Sequence, residues 1–164
     1  APPMLLITGD DTASNTRRLN FTNTLNRLLE LGALPVINEN DTVATDEIVI
    51  GDNDTLAAIV ARSVHADMLI LLSDIDGLYT ADPHTHPEAA LLHHVAGIDD
   101  HIREIAGISS STQGTGGMVT KLHAADICLG CGCKMVIANG NNPGNLYDIL
   151  EGKTVGTTFS EERL

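Results

Sequence analysis

Short runs of aliphatic residues alternate with segments of helical periodicity along most of this chain, and this alternation limits the folds open to it. The run 68–72 is apolar at every position, which is typical of a strand that is covered on both faces of a sheet. Phe21, Leu25 and Leu29 show the other pattern, since they share one face of a predicted helix. Strands that alternate with helices predict a doubly wound, three-layer αβα fold with a mainly parallel central sheet.

The predicted elements cover most of the 164 residues, a length that favours one domain. Strands are predicted at 4–8, 35–37, 68–72, 134–138 and around 157–159, with a short one at 91–92. Helices are predicted at 15–31, 54–64, 98–105, 118–129 and 146–150. Residues 9–11 are expected to interrupt the first strand, and Gly32 is expected to end the first helix.

The acidic composition narrows the classes of partner. The chain has 9 Lys and Arg against 22 Asp and Glu, a formal net charge of −13. Proteins that bind nucleic acids or anionic membranes normally present a basic face, so neither partner is expected. No apolar run reaches the roughly 18–20 residues of a membrane span, and the N-terminal residues lack the basic flank of a signal peptide. Three cysteines, an odd number, do not form a disulfide framework, which favours a cytoplasmic protein with reduced thiols.

Three polar clusters follow predicted strands or begin a predicted helix: NEND at 38–41, GDND at 51–54 and SDIDG at 73–77. In open α/β sheets, ligands bind beyond the carboxyl ends of the strands. Amide groups and helix N-terminal N–H groups could hold a carboxylate there, while carboxylates could hold an ammonium group or Mg²⁺. The alternative is that these residues are turn formers and helix caps that contact no ligand.

A glycine-rich segment, QGTGGMVTK at 113–121, leads into a predicted helix. Glycines let the backbone approach a phosphate closely, and a helix N-terminus offers free N–H groups to an anion. Lys121 lies one turn into the helix, from where it could reach a transferring phosphate. The P-loop pattern GxxxxGK[ST] is absent, and a flexible linker before an ordinary helix is the alternative.

The cysteines and histidines offer a weaker candidate site. Cys128, Cys131 and Cys133 form the pattern CxxCxC, but the chain has no fourth cysteine, so structural cysteines are favoured over zinc ligands. Four histidines lie in an irregular region and are predicted to be solvated loop residues, namely His84, His86, His93 and His94.

Taken together, four strings resemble the glutamate 5-kinases of the amino acid kinase family. They are PVINENDTV (35–43), GDNDTLAA (51–58), LLSDIDGLYTADP (71–83) and GTGGMVTKLHAA (114–125). The resemblance extends from about Leu5 to Phe159. It implies an enzyme that uses ATP and Mg²⁺ to phosphorylate the side-chain carboxylate of L-glutamate, the first step of proline biosynthesis.

The resemblance also implies roles for individual residues. Asp41, Asn53 and Asp54 would bind glutamate, and Asp54 would also organise the catalytic cations. Lys121 would neutralise charge on the phosphoryl group, as expected for a reaction that depends on positioning and charge neutralisation. The nucleotide would be bound by Ser73, Asp74, Thr115, Gly116, Gly117, Met118, Val119, Thr120 and Lys121. The resemblance gives no residue as a direct metal ligand.

This chain departs from the family at its front. The family begins with a strand that carries a phosphate-contacting lysine and a glycine-rich turn, and nothing in this sequence matches either. Residues 1–164 are therefore expected to form a partial kinase domain, with the nucleotide-binding half and part of the substrate site. By the usual size of a domain, about a hundred residues would be absent. A sheet edge exposed in this way would favour homo-oligomers.

Three alternatives stay open at this stage. A sister enzyme would act on N-acetylglutamate or aspartate, although carboxylates such as Asp41 and Asp54 suit a free ammonium group better than an acetylated amine. A non-catalytic fragment would bind nucleotide without turnover. A zinc-binding module would use the CxxCxC cysteines.

Overall fold

The computed structural model describes residues 2–42, 50–108 and 117–161. Within these ranges the strands are β1 (Met4–Ile7), β2 (Val36–Glu39), β3 (Met68–Ser73), β4 (His94–Val95), β5 (Lys134–Asn139) and β6 (Thr157–Phe159). The helices are α1 (Gly9–Ala13), α2 (Asn15–Glu30), α3 (Asn53–Ser63), α4 (Asp100–Ile108), α5 (Met118–Leu129) and α6 (Asn145–Leu150). None of these helices is long and apolar enough to cross a membrane.

The strands form two ladders. β1 pairs with β2 in parallel, and the other four strands form a sheet in the order β3-β5-β6-β4. β3 and β5 are parallel, as are β4 and β6, whereas β5 and β6 are antiparallel. Three of the four pairings are parallel, which confirms the predicted mainly parallel character. The expected single sheet is instead divided between β2 and β3, which do not pair in the described residues.

Helices cover both faces of the four-stranded sheet, which confirms the three-layer fold. Along β5 the side chains alternate between the two faces, as a strand requires. Met135 and Ile137 pack in the large core cluster with residues of α3, α4 and α5. Val136 and Ala138 pack on the opposite face with Ile149 of α6. A third cluster joins β1 and α2 to α3 through Leu56.

The first strand ends before residues 9–11, as expected, but these residues begin helix α1, which the sequence pattern did not predict. The Asp11 carboxylate accepts hydrogen bonds from the backbone N–H of Thr8, at 2.8 Å, and from the Thr8 hydroxyl, at 2.9 Å. An acidic residue at this position satisfies donors at the start of a helix. The aspartates therefore lie in a short helix that follows the strand directly.

Two predictions in the irregular region are wrong. Leu91 makes only an isolated antiparallel bridge with Tyr79, and the strand lies three residues later as β4. His94 belongs to that strand and is partly buried, with its Nε2 atom 3.1 Å from the Ser160 carbonyl oxygen. It is therefore part of the sheet rather than a solvated loop residue.

Candidate functional site

A polar cleft of about 350 Å³ opens where the end of β2 meets the first turns of α3 and α5. Asn38, Glu39, Asp41, Gly51, Asp52, Asn53, Asp54 and Lys121 line it. The NEND and GDND clusters and the lysine of the glycine-rich segment, which are distant in sequence, therefore share one site. Four carboxylates and one ammonium group line the cleft, so it is acidic except at Lys121.

Asp52 holds the beginning of α3. Its Oδ1 atom accepts the backbone N–H of Thr55 at 2.7 Å, and its Oδ2 atom accepts the Thr55 hydroxyl at 2.8 Å. This is the ordinary arrangement of a helix N-cap, so for Asp52 the capping interpretation is confirmed. The cap fixes the first turn of α3, from which Asn53 and Asp54 line the cleft.

Glu39 ties the end of β2 to the loop before α3. Its carboxylate accepts the backbone N–H groups of Ile50, at 2.7 Å, and Gly51, at 3.2 Å. Glu39 is buried, and buried carboxylates need such partners to offset the loss of hydration. Sequence reasoning included Glu39 in a polar cluster without giving it a role. A carboxylate in the last position of a strand, directly before the loop that leads to α3, is the signal that points to it.

Lys121 and Asp54 form an ion pair across the interface between α5 and α3. The Nζ atom lies 3.1 Å from Asp54 Oδ2, and the two side chains are 10% and 17% exposed. The Thr120 hydroxyl lies 2.7 Å from the same Oδ2 atom and 2.8 Å from the carbonyl oxygen of Gly117. The ammonium group is therefore held at the wall of the cleft by a carboxylate that has a second polar partner.

The other predicted nucleotide-binding residues of the glycine-rich segment 113–121 differ in exposure and position. Met118 is buried in the core, whereas the Val119 side chain is exposed. Gly117 is the N-cap of α5, so the backbone of this turn lies at a helix N-terminus that can accept an anion. Thr115 and Gly116 lie outside the described residues. The assignment of this segment to a nucleotide stays a prediction.

Ser73 and Asp74 lie at the carboxyl end of β3, apart from the residues that line the cleft. Their side chains contact each other at 3.2 Å. Nearby, the Asp76 carboxylate accepts hydrogen bonds from the Asn139 amide at 2.7 Å and the Tyr79 hydroxyl at 3.1 Å. Burial, and then the hydrogen bond to Asp76, raise the pKa of the Tyr79 phenol.

Asn139 ends β5 beside Ser73, its register partner in β3. The carboxyl ends of the two parallel strands thus carry a second polar surface. The sequence analysis did not include Asn139, although the rule that ligands bind beyond strand ends applies to it as well.

The three cysteines are free thiols, and the structural interpretation agrees with their surroundings. Cys128 and Cys133 are buried, whereas Cys131 is exposed. Burial raises the pKa of the Cys128 thiol to about 12, which keeps it protonated at neutral pH. In the part of the chain that the structure describes, no group of three or more His, Cys, Asp or Glu side chains is arranged to hold a metal ion.

Comparison with known proteins gives a consistent picture. The model of the amino acid kinase family matches residues 1–139. Glutamate 5-kinase of Thermoanaerobacter sp. (strain X514) is 50% identical over 155 residues, and those of Serratia marcescens and Escherichia coli O1:K1 are 52% identical over the same length. Each match covers 94% of this chain and 42% of the relative, so this chain spans less than half the length of these relatives.

Solved structures share the fold at low sequence identity. UMP kinase from Bacillus anthracis matches with a TM-score of 0.62 and 15% identity, over 99% of this chain and 59% of its own. Carbamate kinase from Giardia lamblia bound to AMP-PNP matches with a TM-score of 0.60 and 18% identity, over 86% and 49%. An isopentenyl phosphate kinase matches with a TM-score of 0.59 and 24% identity, over 84% and 50%.

Proposed function

This chain belongs to the amino acid kinase family, and we propose that it serves in the ATP-dependent phosphorylation of the side-chain carboxylate of L-glutamate. The product would be L-glutamyl 5-phosphate, in the first step of proline biosynthesis. The observation that carries this proposal is the 50–52% identity, over 94% of this chain, with proteins named glutamate 5-kinase. The geometry of the cleft supports the chemistry.

The acidic side of the cleft suits a free amino acid. Asp41 and Asp54 would attract the ammonium group of glutamate, and the Asn53 amide would donate a hydrogen bond to a carboxylate. The N-terminus of α3 lies beside these residues and adds a partial positive charge that favours an anion. An acetylated amine would leave the aspartates without a charged partner, which favours L-glutamate over N-acetylglutamate.

Lys121 would stabilise the phosphoryl group during transfer. Phosphoryl transfer requires little covalent chemistry from the protein and depends on positioned positive charge. The Asp54 carboxylate accepts hydrogen bonds from Thr120 and Lys121 and so holds the first turn of α5 in place. Little reorganisation of this turn is therefore needed when substrate arrives. The turn that begins α5, together with Ser73 and Asp74, would bind the nucleotide.

Mg²⁺ fits the residues of the cleft. This ion is usually held by one or two carboxylates together with water and substrate phosphates. Hydrogen-bond donors occupy both carboxylate oxygens of Glu39 and of Asp52, whereas Asp54 accepts Thr120 and Lys121 through Oδ2. The Oδ1 atom of Asp54 would therefore face a magnesium–nucleotide complex, while Asp41 would bind the ammonium group of glutamate. The ion would neutralise charge on the phosphates, and Asp54 would orient it.

We further propose that residues 1–164 form part of a kinase domain that acts in the cytoplasm and assembles into homo-oligomers. The free thiols agree with a reducing compartment. Because this chain covers 42% of its relatives, a second candidate function is nucleotide binding without turnover.

The test is trapping of the acyl phosphate with hydroxylamine, with ATP and Mg²⁺ and a choice of L-glutamate, N-acetylglutamate or aspartate. Hydroxamate from L-glutamate alone would support the proposal. Lys121→Met should then lower the rate about 10²–10³-fold, the effect of losing one preorganised stabilising group. Lys153→Met is the matched control, because Lys153 is exposed, pairs with Asp148 and is not among the residues that line the cleft. ATP binding without hydroxamate would favour the second candidate, and hydroxamate from another acceptor would overturn the choice of substrate.

A further inference from the structure

The junction between α5 and β5, residues 128–133, contains all three cysteines of the chain. Cys128 lies in the last turn of α5, Cys131 lies in the turn that follows, and Cys133 directly precedes β5. The proposed phosphorylation uses none of them. Lys121 lies near the start of the same helix, so the junction is at the other end of α5 from the candidate site.

Backbone hydrogen bonds fix the path of the chain through this junction. The Cys133 N–H donates to the Cys128 carbonyl oxygen at 2.9 Å, and the Gly132 N–H donates to the Leu129 carbonyl oxygen at 3.1 Å. Gly132 has a φ of +74°, the left-handed conformation that glycine provides at such helix ends. These features define a Schellman motif, in which the side chains of the two residues joined by the longer-range bond commonly contact each other. Here both of those side chains are thiols.

The two thiols meet inside the core. Cys128 and Cys133 are 0% and 3% exposed and belong to the same core cluster. The Cys128 thiol donates a hydrogen bond to the Cys133 sulfur. A Cα atom lies about 1.5 Å from its own nitrogen and about 2.4 Å from its own carbonyl oxygen. The 2.9 Å backbone bond therefore keeps the two Cα atoms within about 6.8 Å, a separation at which a disulfide can close without backbone movement.

Cys131 connects this buried pair to solvent. It is the one exposed cysteine of the three, and its Sγ atom lies 3.2 Å from the carbonyl oxygen of Cys128. Thiol oxidation requires access of the oxidant to the sulfur. An oxidant in solution therefore meets Cys131 before it meets the other two cysteines.

We propose that this junction is a thiol-oxidation site that reacts with hydrogen peroxide at Cys131 and stores the oxidation as a disulfide between Cys128 and Cys133. In the first step the Cys131 sulfur attacks the peroxide, the O–O bond breaks, and Cys131 becomes a sulfenic acid while water leaves. In the second step the Cys133 sulfur attacks the Cys131 sulfur. The S–S bond forms, the S–O bond breaks, and hydroxide leaves as water with the thiol proton of Cys133.

Thiol exchange then moves the disulfide into the core. The Cys128 sulfur attacks the Cys133 sulfur, the bond between Cys131 and Cys133 breaks, and the proton of Cys128 passes to the Cys131 thiolate. Burial raises the pKa of both buried thiols, and the hydrogen bond from Cys128 raises the pKa of Cys128 further while it lowers that of Cys133. Cys133 therefore attacks before Cys128.

The complete sequence converts one peroxide and two thiols into one disulfide and two waters, and Cys131 is again a thiol. Because a sulfenic acid that is not resolved oxidises further to an irreversible sulfinic acid, the buried pair keeps the oxidation of Cys131 reversible.

The experiment uses the reduced 164-residue chain, one equivalent of hydrogen peroxide at pH 7, and alkylation of the remaining thiols after denaturation. We expect the intact mass to show a single chain that has lost two hydrogen atoms and carries one alkyl group. Trypsin releases residues 122–134 as one peptide with all three cysteines, and its fragmentation should place the alkyl group on Cys131. Dithiothreitol should restore three thiols.

Three variants test the order of the steps. Cys131→Ser removes the exposed thiol and should slow disulfide formation at least about tenfold. Cys128→Ser blocks only the exchange, so its disulfide should stay between Cys131 and Cys133. Cys133→Ser should form no disulfide, and dimedone should capture the sulfenic acid of Cys131.

Circular dichroism checks that the variants are folded. If the two buried substitutions prevent folding, the unmodified chain and Cys131→Ser still decide. The proposal is overturned if peroxide leaves three thiols, if Cys131 becomes a sulfinic acid without a disulfide, or if the disulfide joins two chains or retains Cys131. It is also overturned if Cys131→Ser forms its disulfide at an unchanged rate.

Discussion

The ion pair between Lys121 and Asp54 should couple α5 to α3 far more strongly than an ordinary surface pair. At 3.1 Å, two unit charges attract each other by about 5 kcal/mol at an effective dielectric constant of about 20. Loss of hydration offsets much of this, because the two side chains are only 10% and 17% exposed. A double-mutant cycle measures the net coupling free energy that remains after this loss of hydration, and we expect about 2 kcal/mol.

The two single substitutions should lower the free energy of unfolding by different amounts. Lys121→Met leaves four carboxylates in the cleft without the ammonium group that faces them, so the free energy of unfolding should fall by about 3 kcal/mol. Asp54→Asn removes one of those carboxylates and leaves Lys121 beside the others, so the fall should be about 1 kcal/mol. The double variant should lose about 2 kcal/mol, less than the sum of the single losses.

Urea denaturation followed by circular dichroism measures all four free energies of unfolding. Arg103 and Asp126 provide the matched control, since they approach to 2.8 Å but are 54% and 39% exposed. Their coupling should be at most about 0.5 kcal/mol and should decrease with added salt, whereas the buried pair is screened much less. A coupling below about 0.5 kcal/mol for Lys121 and Asp54, or a larger cost for Asp54→Asn than for Lys121→Met, would refute this reasoning.

Two further predictions concern other parts of the structure. Glu39→Gln turns an amide NH₂ toward the N–H group of Ile50 or Gly51, so it should lower the free energy of unfolding by about 2 kcal/mol in urea denaturation. Glu30→Gln, at an exposed pair with Arg27, should change it by less than about 0.5 kcal/mol, and equal effects would contradict the role of Glu39. For the cysteines, a thiol reagent at neutral pH should modify Cys131 quickly and Cys128 only after unfolding, because Cys128 is buried and its pKa is raised to about 12. Mass spectrometry of the labelled protein checks the order, and rapid labelling of Cys128 in the native chain would show that its side chain is accessible.

Sequence reasoning succeeded where one local signal dominates. The uninterrupted apolar run of β3 and the helical spacing of Phe21, Leu25 and Leu29 in α2 each identify their element without knowledge of its neighbours. It did not predict α1 because five residues are too few to show a helical period, and the hydrogen bonds that Asp11 accepts from Thr8 are seen only in the structure. It failed at β4 because two residues are too few to show a period, and pairing with β6 alone defines that strand.

The residues of the candidate site likewise divide into those with contacts close in sequence, which can be predicted, and those with distant contacts, which cannot. Asp52 is predictable as a cap because its partner, Thr55, lies three residues away. Lys121 and Asp54 are 67 positions apart, so their contact follows from the packing of α5 on α3 and not from any spacing in the sequence. Periodicity likewise predicts that β2 and β3 are strands, but it does not predict which strands they pair with. Which strand edges lack a partner among the described residues is therefore information that only the structure supplies.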